Sequence, residues 1–340
     1  MLTPGTDLDL SGTVLRRASD KLSSGTIGFG KFILKLGFGL FAATLAVRLA
    51  IEISIDGGIQ NIVLRPGTPL DAPGAQPIVE AYRLDQNQLM RHLGWLADAF
   101  RGDYGLSFRN RGRPVEELIT PRLPITFQLS LAALALAIIV GIPVGVAVTS
   151  LRGRRSSRVL ELAVDFFRSV PVFILAPFLA LVFALNLEWL PLIGWERPTV
   201  SLSGNLRSMA LPAIALALPE AAVIAQLVKA GLQQVNGEEY IVAARSKGLS
   251  RAHIFLHHAL RPASLTTVTQ IGIILGSLLG GAVIVEQIFA IGGMGVLMFE
   301  SIVNRDLNVL LACTLYLTGM VVVIGALSDI AYRYLDPRIK

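Results

Sequence analysis

Charge is scarce in this chain: only 16% of its 340 residues are Asp, Glu, Lys or Arg. A soluble domain carries about a quarter. With 53% hydrophobic residues and a mean hydropathy of +0.62, the chain is suited to a lipid solvent. Cysteine is nearly absent. The single thiol, Cys313, excludes an intrachain disulfide, and its apolar surroundings predict a small buried hydrophobe. No G-x-x-x-x-G-K-[ST] run occurs, so the chain has no nucleotide-binding P-loop, and HExxH, GxSxG, CxxC and paired-carboxylate signatures are missing too. Gly37 and Gly39 are too isolated to form a dinucleotide loop. No catalytic constellation, bound cofactor or metal is expected of this chain. His253 and His257 share a helix face beside His258, but with no carboxylate or cysteine near them, polar contacts with a partner protein fit better than a metal site.

What the chain has in excess is basic charge, +6 in net. Gathered on one surface it would suggest nucleic acid. Here the basic residues fall in short polar gaps between apolar runs, the pattern of cytoplasmic loops. The first 28 or so residues are polar and lack an apolar stretch followed by a small-residue cleavage site, so no cleaved signal peptide is expected.

Crossing about 30 Å of hydrocarbon takes about 20 apolar residues as a helix. Six stretches qualify: residues 32–55, 125–149, 159–185, 209–232, 265–289 and 309–332. An all-α polytopic membrane protein with six transmembrane helices follows. Arg16, Arg17, Lys21, Lys31 and Lys35 precede the first stretch, Arg152, Arg154, Arg155 and Arg158 follow the second, and Arg245, Lys247, Arg251 and Arg261 follow the fourth. Arg333, Arg338 and Lys340 close the chain on the same side, which puts both termini inside. The expected layout is an extension at 1–31, a first span at 32–55, an external loop at 56–124, a core at 125–335 with a cytoplasmic loop at 233–263, and a tail at 336–340. Arg48 and Glu52 are spaced to pair near the outer end of the first span. In the external loop, residues 65–74 form an irregular proline and glycine cluster. Leu84, Leu89, Leu93, Leu96 and Phe100 then predict an amphipathic helix before Gly102.

Pro143, Pro171, Pro177, Pro212 and Pro219 lie inside spans, where each removes a helical bond and is expected to kink or break the helix. Such helices can line a water-filled path. Asp165 and Arg168 are spaced to pair on one face. Glu220 lies mid-span beside Pro219 with no cation near it in sequence, so it faces a partner helix or an aqueous cavity, or is protonated. Glu286 is expected near the outer surface, where a charge is cheap.

The most polar interruption runs over residues 237–263. Tyr240, Ala243, Ala244 and Lys247 share one helix face, Gly248 suits a left-handed helix end, and Ser250 is a candidate N-cap for a second helix reaching Leu260. This stretch resembles the cytoplasmic EAA loop of ABC import permeases. Ala243, Ala244, Gly248 and Leu260 match its spacing, Val242 replaces the Glu, His258 replaces the Ile, and the proline comes one position late as Pro262. The A-R-S-K-G-L run is similar to the peptide branch of that family. The resemblance extends to P-G-T-P (with Thr68 replacing an acid), L-D-Q, G-D-Y-G-L-S-F and the residues 211–219. It continues through Gly280, Gly281, Ala282, Val283, Val285, Glu286, Phe289, Gly293 and Gly295 to a terminal Asp336-Pro337-Arg338.

The resemblance implies a type I ABC importer permease fold in a bacterial inner membrane, carrying dipeptides or oligopeptides. It implies a second, homologous permease as heterodimer partner, two ATPase subunits that bind ATP and Mg2+, and an external solute-binding protein. ATPase coupling would fall to Tyr240, Ala243, Ala244, Arg245, Lys247, Gly248 and Leu249. The translocation path would include Ser169, Pro171, Pro219 and Glu220, and an external gate or binding-protein contact would include Asp103, Glu286 and Gly293. Nickel chelates, opines or oligosaccharides are alternative cargo. A secondary transporter would need a chain of ionisable groups inside the membrane, which the sparse charges do not favour.

Overall fold

A break at Pro171 sets the plan of the molecule. The computed structural model describes residues 30, 33–34, 36–54, 60, 64, 68–72, 74–110, 112–255 and 259–335. The tail at 336–340, His257, His258 and all of the expected N-terminal extension except Gly30 lie outside them. Regular structure among the described residues is helical, apart from a lone antiparallel bridge between Leu106 and Pro114. Helix α1 (Leu36–Ser54) is followed by the shorter helices α2 (Gln76–Tyr82), α3 (Gln88–Ala99) and α4 (Val115–Ile119). Then come α5 (Leu123–Ser150), α6 (Arg155–Ser169), α7 (Val172–Leu179) with a π-helical continuation at Ala180–Asn186, and α8 (Leu202–Asn236). The chain finishes with α9 (Glu239–Ser246), α10 (Arg251–Ile254), α11 (Leu260–Ile288), α12 (Met294–Val303) and α13 (Leu307–Leu335).

Among the described residues five helices are long and apolar enough to cross a bilayer, and the expected third span is the exception: α6 and the α7 segment meet at 107°. The cause is local. Val170, before Pro171, is extended at φ −83° and ψ 117°, as the proline ring demands of the residue preceding it. Pro143, Pro212 and Pro219, also expected to kink or break helices, lie inside α5 and α8, which continue through them.

The central contact is α5 against α8. A Cβ on Gly141 would stand 2.6 Å from the Ala221 carbonyl oxygen, and one on Gly145 would stand 2.5 Å from that of Ala225. Two glycines four apart therefore bring α5 onto a pair of alanines four apart on α8, the small-residue contact that lets membrane helices approach closely. Helix α11 packs against α8, α13 and α5. Cys313 is fully buried in α13, as its apolar setting implied.

Helix α6 meets α8 through the buried Val164 and two incompletely buried acids. Glu161 pairs with Lys229 at 2.9 Å, and Asp165 accepts from Gln226 at 2.9 Å, while Val159, Leu162 and Phe166 are uncovered. The expected Asp165–Arg168 pair does not form among the described residues, because α8 offers Asp165 a partner.

The segment between α1 and α5 is clasped to the start of α13. Ser107 donates to Asp306 at 2.5 Å, Asn308 donates to the Leu106 carbonyl at 2.9 Å, and the Tyr104 and Tyr316 hydroxyls are 2.8 Å apart. Helix α3 exists as expected, capped by the Asn87 side chain on the Met90 N–H, but its inward face is different. His92, Trp95, Leu96 and Ala99 are buried, whereas Leu89, Leu93 and Phe100 are exposed. A polar histidine takes the place that leucine spacing assigned to an apolar residue.

Candidate functional site

Three places carry the residues that the sequence singled out. The first is the loop after α8. Helix α9 has Glu239 in its first turn and Arg245 in its last, each complementing the helix dipole. It ends as a left-handed glycine dictates: Gly248 has φ +75°, its N–H bonds to the Arg245 carbonyl, and the Leu249 N–H bonds to that of Ala244. Ser250 then accepts from the His253 N–H at 3.3 Å, the N-cap expected of it, though α10 is a single turn. Arg245 ties the helix back to Asn236, at the end of α8, at 2.9 Å.

The four residues expected on one face are divided by burial. Ala244 and Ile241 turn into the main core, leaving Tyr240, Ala243, Arg245, Lys247 and Leu249 uncovered. Partial burial and then the Glu238 carboxylate push the Tyr240 hydroxyl above its ordinary value, so it stays a neutral donor at physiological pH. The result is a short, capped helix, anchored on two inward apolar residues and presenting a mixed polar and apolar side outward.

The second place is the interior of the spans. Glu220 is half-buried on α8 beside Pro219, with the Ser277 hydroxyl of α11 beside it. Ser169 is spent on a local bond to the Asp165 carbonyl at 2.8 Å, and Pro171 is exposed at the bend. No hydrogen bond joins Ser169 to Glu220 among the described residues.

The third place overturns an expectation. Glu286 is not at the outer surface but fully buried. Its Oε1 takes the Thr126 hydroxyl at 2.5 Å, and its Oε2 takes the N–H groups of Gly295 at 2.8 Å and Val296 at 3.1 Å. The Thr126 oxygen in turn accepts from the Met294 N–H at 2.8 Å. These three amides are the free donors of the first turn of α12, where a carboxylate is stabilised by hydrogen bonds and dipole together. Gly293 and Gly295 are needed because a Cβ on either would run into the Glu286 carboxylate. The E-x-x-F-x-x-x-G-x-G spacing is thus an internal lock joining α5, α11 and α12, and it leaves Glu286 and Gly293 no free surface for a binding protein. Asp103, by contrast, is exposed, and it accepts from the Gly105 N–H at 2.9 Å.

Arg48 was expected to pair with Glu52. Instead Glu52 pairs with Arg91 of α3 at 3.3 Å, while Arg48 is buried with its Nε unpartnered. Thr126, Asp306 and Asn308 were not singled out from the sequence. Nothing local marks them, since their partners lie 160 to 202 residues away. No cluster of three or more His, Cys, Asp or Glu side chains suited to a metal occurs among the described residues.

Comparison with known proteins agrees with this geometry. A family profile described as "binding-protein-dependent transport system inner membrane component" matches residues 125–340. The oligopeptide transport system permease protein OppB of Haemophilus influenzae is 30% identical over 283 residues, covering 82% of this chain and 90% of that protein. The oligopeptide transport system permease protein AppB of Bacillus subtilis is 33% identical over 271 residues, covering 78% and 84%. In fold, the chain is similar to a chain of the MetNI methionine ABC transporter in an inward-facing conformation, with a TM-score of 0.55 at 21% identity over 64% of this chain and 96% of that one. With its bent α6–α7 pair, its small-residue α5–α8 contact and its capped loop helix, the chain belongs to the binding-protein-dependent transport system inner membrane components, as the permease subunit of an ABC importer.

Proposed function

We propose that this permease carries di- or oligopeptides and forms half of the translocation path, beside a second, homologous permease. The observation that carries the cargo reading is the match, over about four-fifths of the chain, to permeases named for oligopeptide transport. Two ATPase subunits supply ATP and Mg2+ chemistry from outside this chain, and an external binding protein delivers the peptide. Both termini lie in the cytoplasm, on the same side as α9.

Helix α9 is the contact for one ATPase subunit, through Tyr240, Ala243, Arg245, Lys247 and Leu249, with Ala244 and Gly248 fixing its seat. Its two inward residues join it to the same core as α8 and α11, so displacement of α9 is passed to the spans. Reversing a 1:99 equilibrium to 99:1 needs about 5.5 kcal/mol of differential binding. A capped helix can transmit that load, where a loose loop would yield. Glu220, next to Pro219 on α8, is the candidate polar group on the path, with Pro171 at the bend.

The test is co-purification of the tagged chain from mild-detergent extracts, followed by mass spectrometry and reconstitution. Recovery of a second permease, P-loop ATPases and a binding protein, with ATP-dependent peptide uptake into vesicles, is expected. ATP-dependent uptake of a nickel chelate, opine or oligosaccharide but no peptide would reject the cargo. Solute movement by the chain alone without ATP would reject coupling through α9.

A further inference from the structure

A polar cavity of about 290 Å³ lies beside α1, beneath helices α2 and α3 and against the start of α13. Its lining comes from Arg48, from residues 80–108, and from Leu307 and Asn308, with none from α5, α8 or α11. It is therefore separate from the interior of the spans, where Glu220 lies. Its size is at the small end of ligand sites, enough for an amino acid or a dipeptide.

The charges around it are uneven. Arg91 is paired with Glu52 at 3.3 Å, and Arg83 with Asp98 at 2.8 Å. Arg48 is left over. It is only 3% exposed, no hydrogen bond to its guanidinium is present among the described residues, and its Nε is an unpartnered buried donor. A buried cation ordinarily has an anion against it, because the alternative costs several kcal/mol. Its nearest carboxylate, Glu52, attracts it from one turn away but is bonded to Arg91, and Arg91 repels Arg48, so no anion sits against the guanidinium in a bonded pair. The lining also includes two exposed carboxylates, Glu80 and Asp103, which open it to solvent, and Trp95.

We propose that this cavity binds a small zwitterion, a free α-amino acid or a dipeptide, with its carboxylate on Arg48 and its ammonium toward Asp103 and Glu80. The guanidinium offers the planar fork that a carboxylate accepts in a two-bond arrangement. The exposed acids distinguish a zwitterion from a simple anion. The site is a second one, outside the path, and it needs neither the binding protein nor ATP.

The test is calorimetric titration of the assembled transporter in lipid nanodiscs, without binding protein or nucleotide. The probes are alanine, alanyl-alanine, acetate and inorganic phosphate. Alanine or alanyl-alanine is expected to bind, the comparison of the two showing which length fits, and acetate and phosphate are expected to bind more weakly. Arg48→Met should weaken zwitterion binding about tenfold or more, the usual scale of a lost charge-assisted bond. The same change should leave the melting temperature equal or higher, since it removes an unpaired buried charge. Asp103→Asn, at an exposed position, should keep the fold and reduce the preference for alanine over acetate. No binding of either zwitterion, undiminished binding by Arg48→Met, equal affinity for acetate, or tighter binding of phosphate would each overturn the proposal. Failure here leaves the peptide-importer reading intact, because that reading is tested by ATP-dependent uptake.

Discussion

Thr126 and Glu286 stand 160 residues apart in the chain and are joined by a hydrogen bond of 2.5 Å inside the protein. The bond closes a ring of contacts in which Glu286 also holds the first turn of α12. Glu286→Ala should strip acceptors from two backbone amides and a hydroxyl at once. At about 1–3 kcal/mol for each buried group left unsatisfied, the cost should be about 3 kcal/mol or more. Thermal melts of the purified protein would show a large fall for Glu286→Ala and a smaller one for Glu286→Gln, which keeps one oxygen. Equal melting temperatures in all three proteins would contradict the lock.

The α5–α8 contact predicts a steep dependence on side-chain size. Gly145→Leu places bulk where the Ala225 carbonyl oxygen already stands 2.5 Å from the Cβ position, and should destabilise by about 1–3 kcal/mol or more. Gly37→Ala is the control, because nothing lies within 4 Å of its Cβ position. It should be neutral or stabilise by up to about 1 kcal/mol through helix propensity. Folded yield in detergent distinguishes the two, and equal yields would remove the close contact from the account.

Coupling through α9 is tested at its end. Gly248 has φ +75°, a region that proline, fixed near −65°, cannot enter. Gly248→Ala should cost about 1 kcal/mol, whereas Gly248→Pro, or a bulky residue at the buried Ala244, should retain ATP hydrolysis in the assembled transporter while most uptake is lost. Wild-type uptake per ATP in both would exclude this helix as the coupling element.

Glu220→Gln preserves shape and removes charge. If Glu220 borders the path, peptide uptake should fall while assembly and basal ATP hydrolysis persist. Unchanged uptake would place Glu220 outside the path.

His92 makes stability depend on pH. Thr44 gives its hydroxyl proton to the Leu40 carbonyl at 2.6 Å, so its 3.3 Å contact with His92 is served by an Nε2–H donor, leaving Nδ1 unprotonated and unpartnered. Burial first, and then the charge of Arg48, lower the His92 pKa to about 4, with the Phe41 carbonyl only partly offsetting them. The unfolded chain, titrating near 6.5, therefore binds more protons between about pH 4 and 6.5. Stability from this residue is complete above about pH 6.5 and declines as pH falls toward 4. Melting temperatures of wild type and His92→Gln, measured from pH 7.5 to 4.5, should differ in slope within that window. Parallel curves would refute it.

How much of this was legible in the sequence depends on the range of the interaction. Apolar run length located five spans, Gly248 and Ser250 marked the ends of the loop helices, and Cys313 read correctly as buried. Each rests on neighbours within a turn or two. Pro171 gave a local sign of trouble in the third span, but a proline cannot by itself distinguish a kink from a 107° break, as Pro143, Pro212 and Pro219 inside continuous helices show. The errors came where a distant partner outbid a near one. Glu52 has Arg48 one turn away and chooses Arg91, 39 residues on; Asp165 has Arg168 and chooses Gln226; Glu286, expected at the surface, is held inside by Thr126. Leucine spacing on α3 likewise misassigned the inward face, because His92 is held there by Thr44 of α1 and lies against Phe41 and Trp95.

The lock at Glu286 also imposes a schedule on synthesis. A ribosome adding 5–20 residues per second needs roughly 8 to 32 s to travel from Thr126 to Glu286. Throughout that interval α5 exists without its acceptor, and the amides of α12 do not yet exist. The nascent chain must keep the Thr126 hydroxyl occupied by its own backbone or by water, and α11 and α12 must arrive before the start of α5 is fixed. A chain interrupted between those points would be a bundle of inserted helices with its fastening missing, which is the form that membrane quality control would encounter.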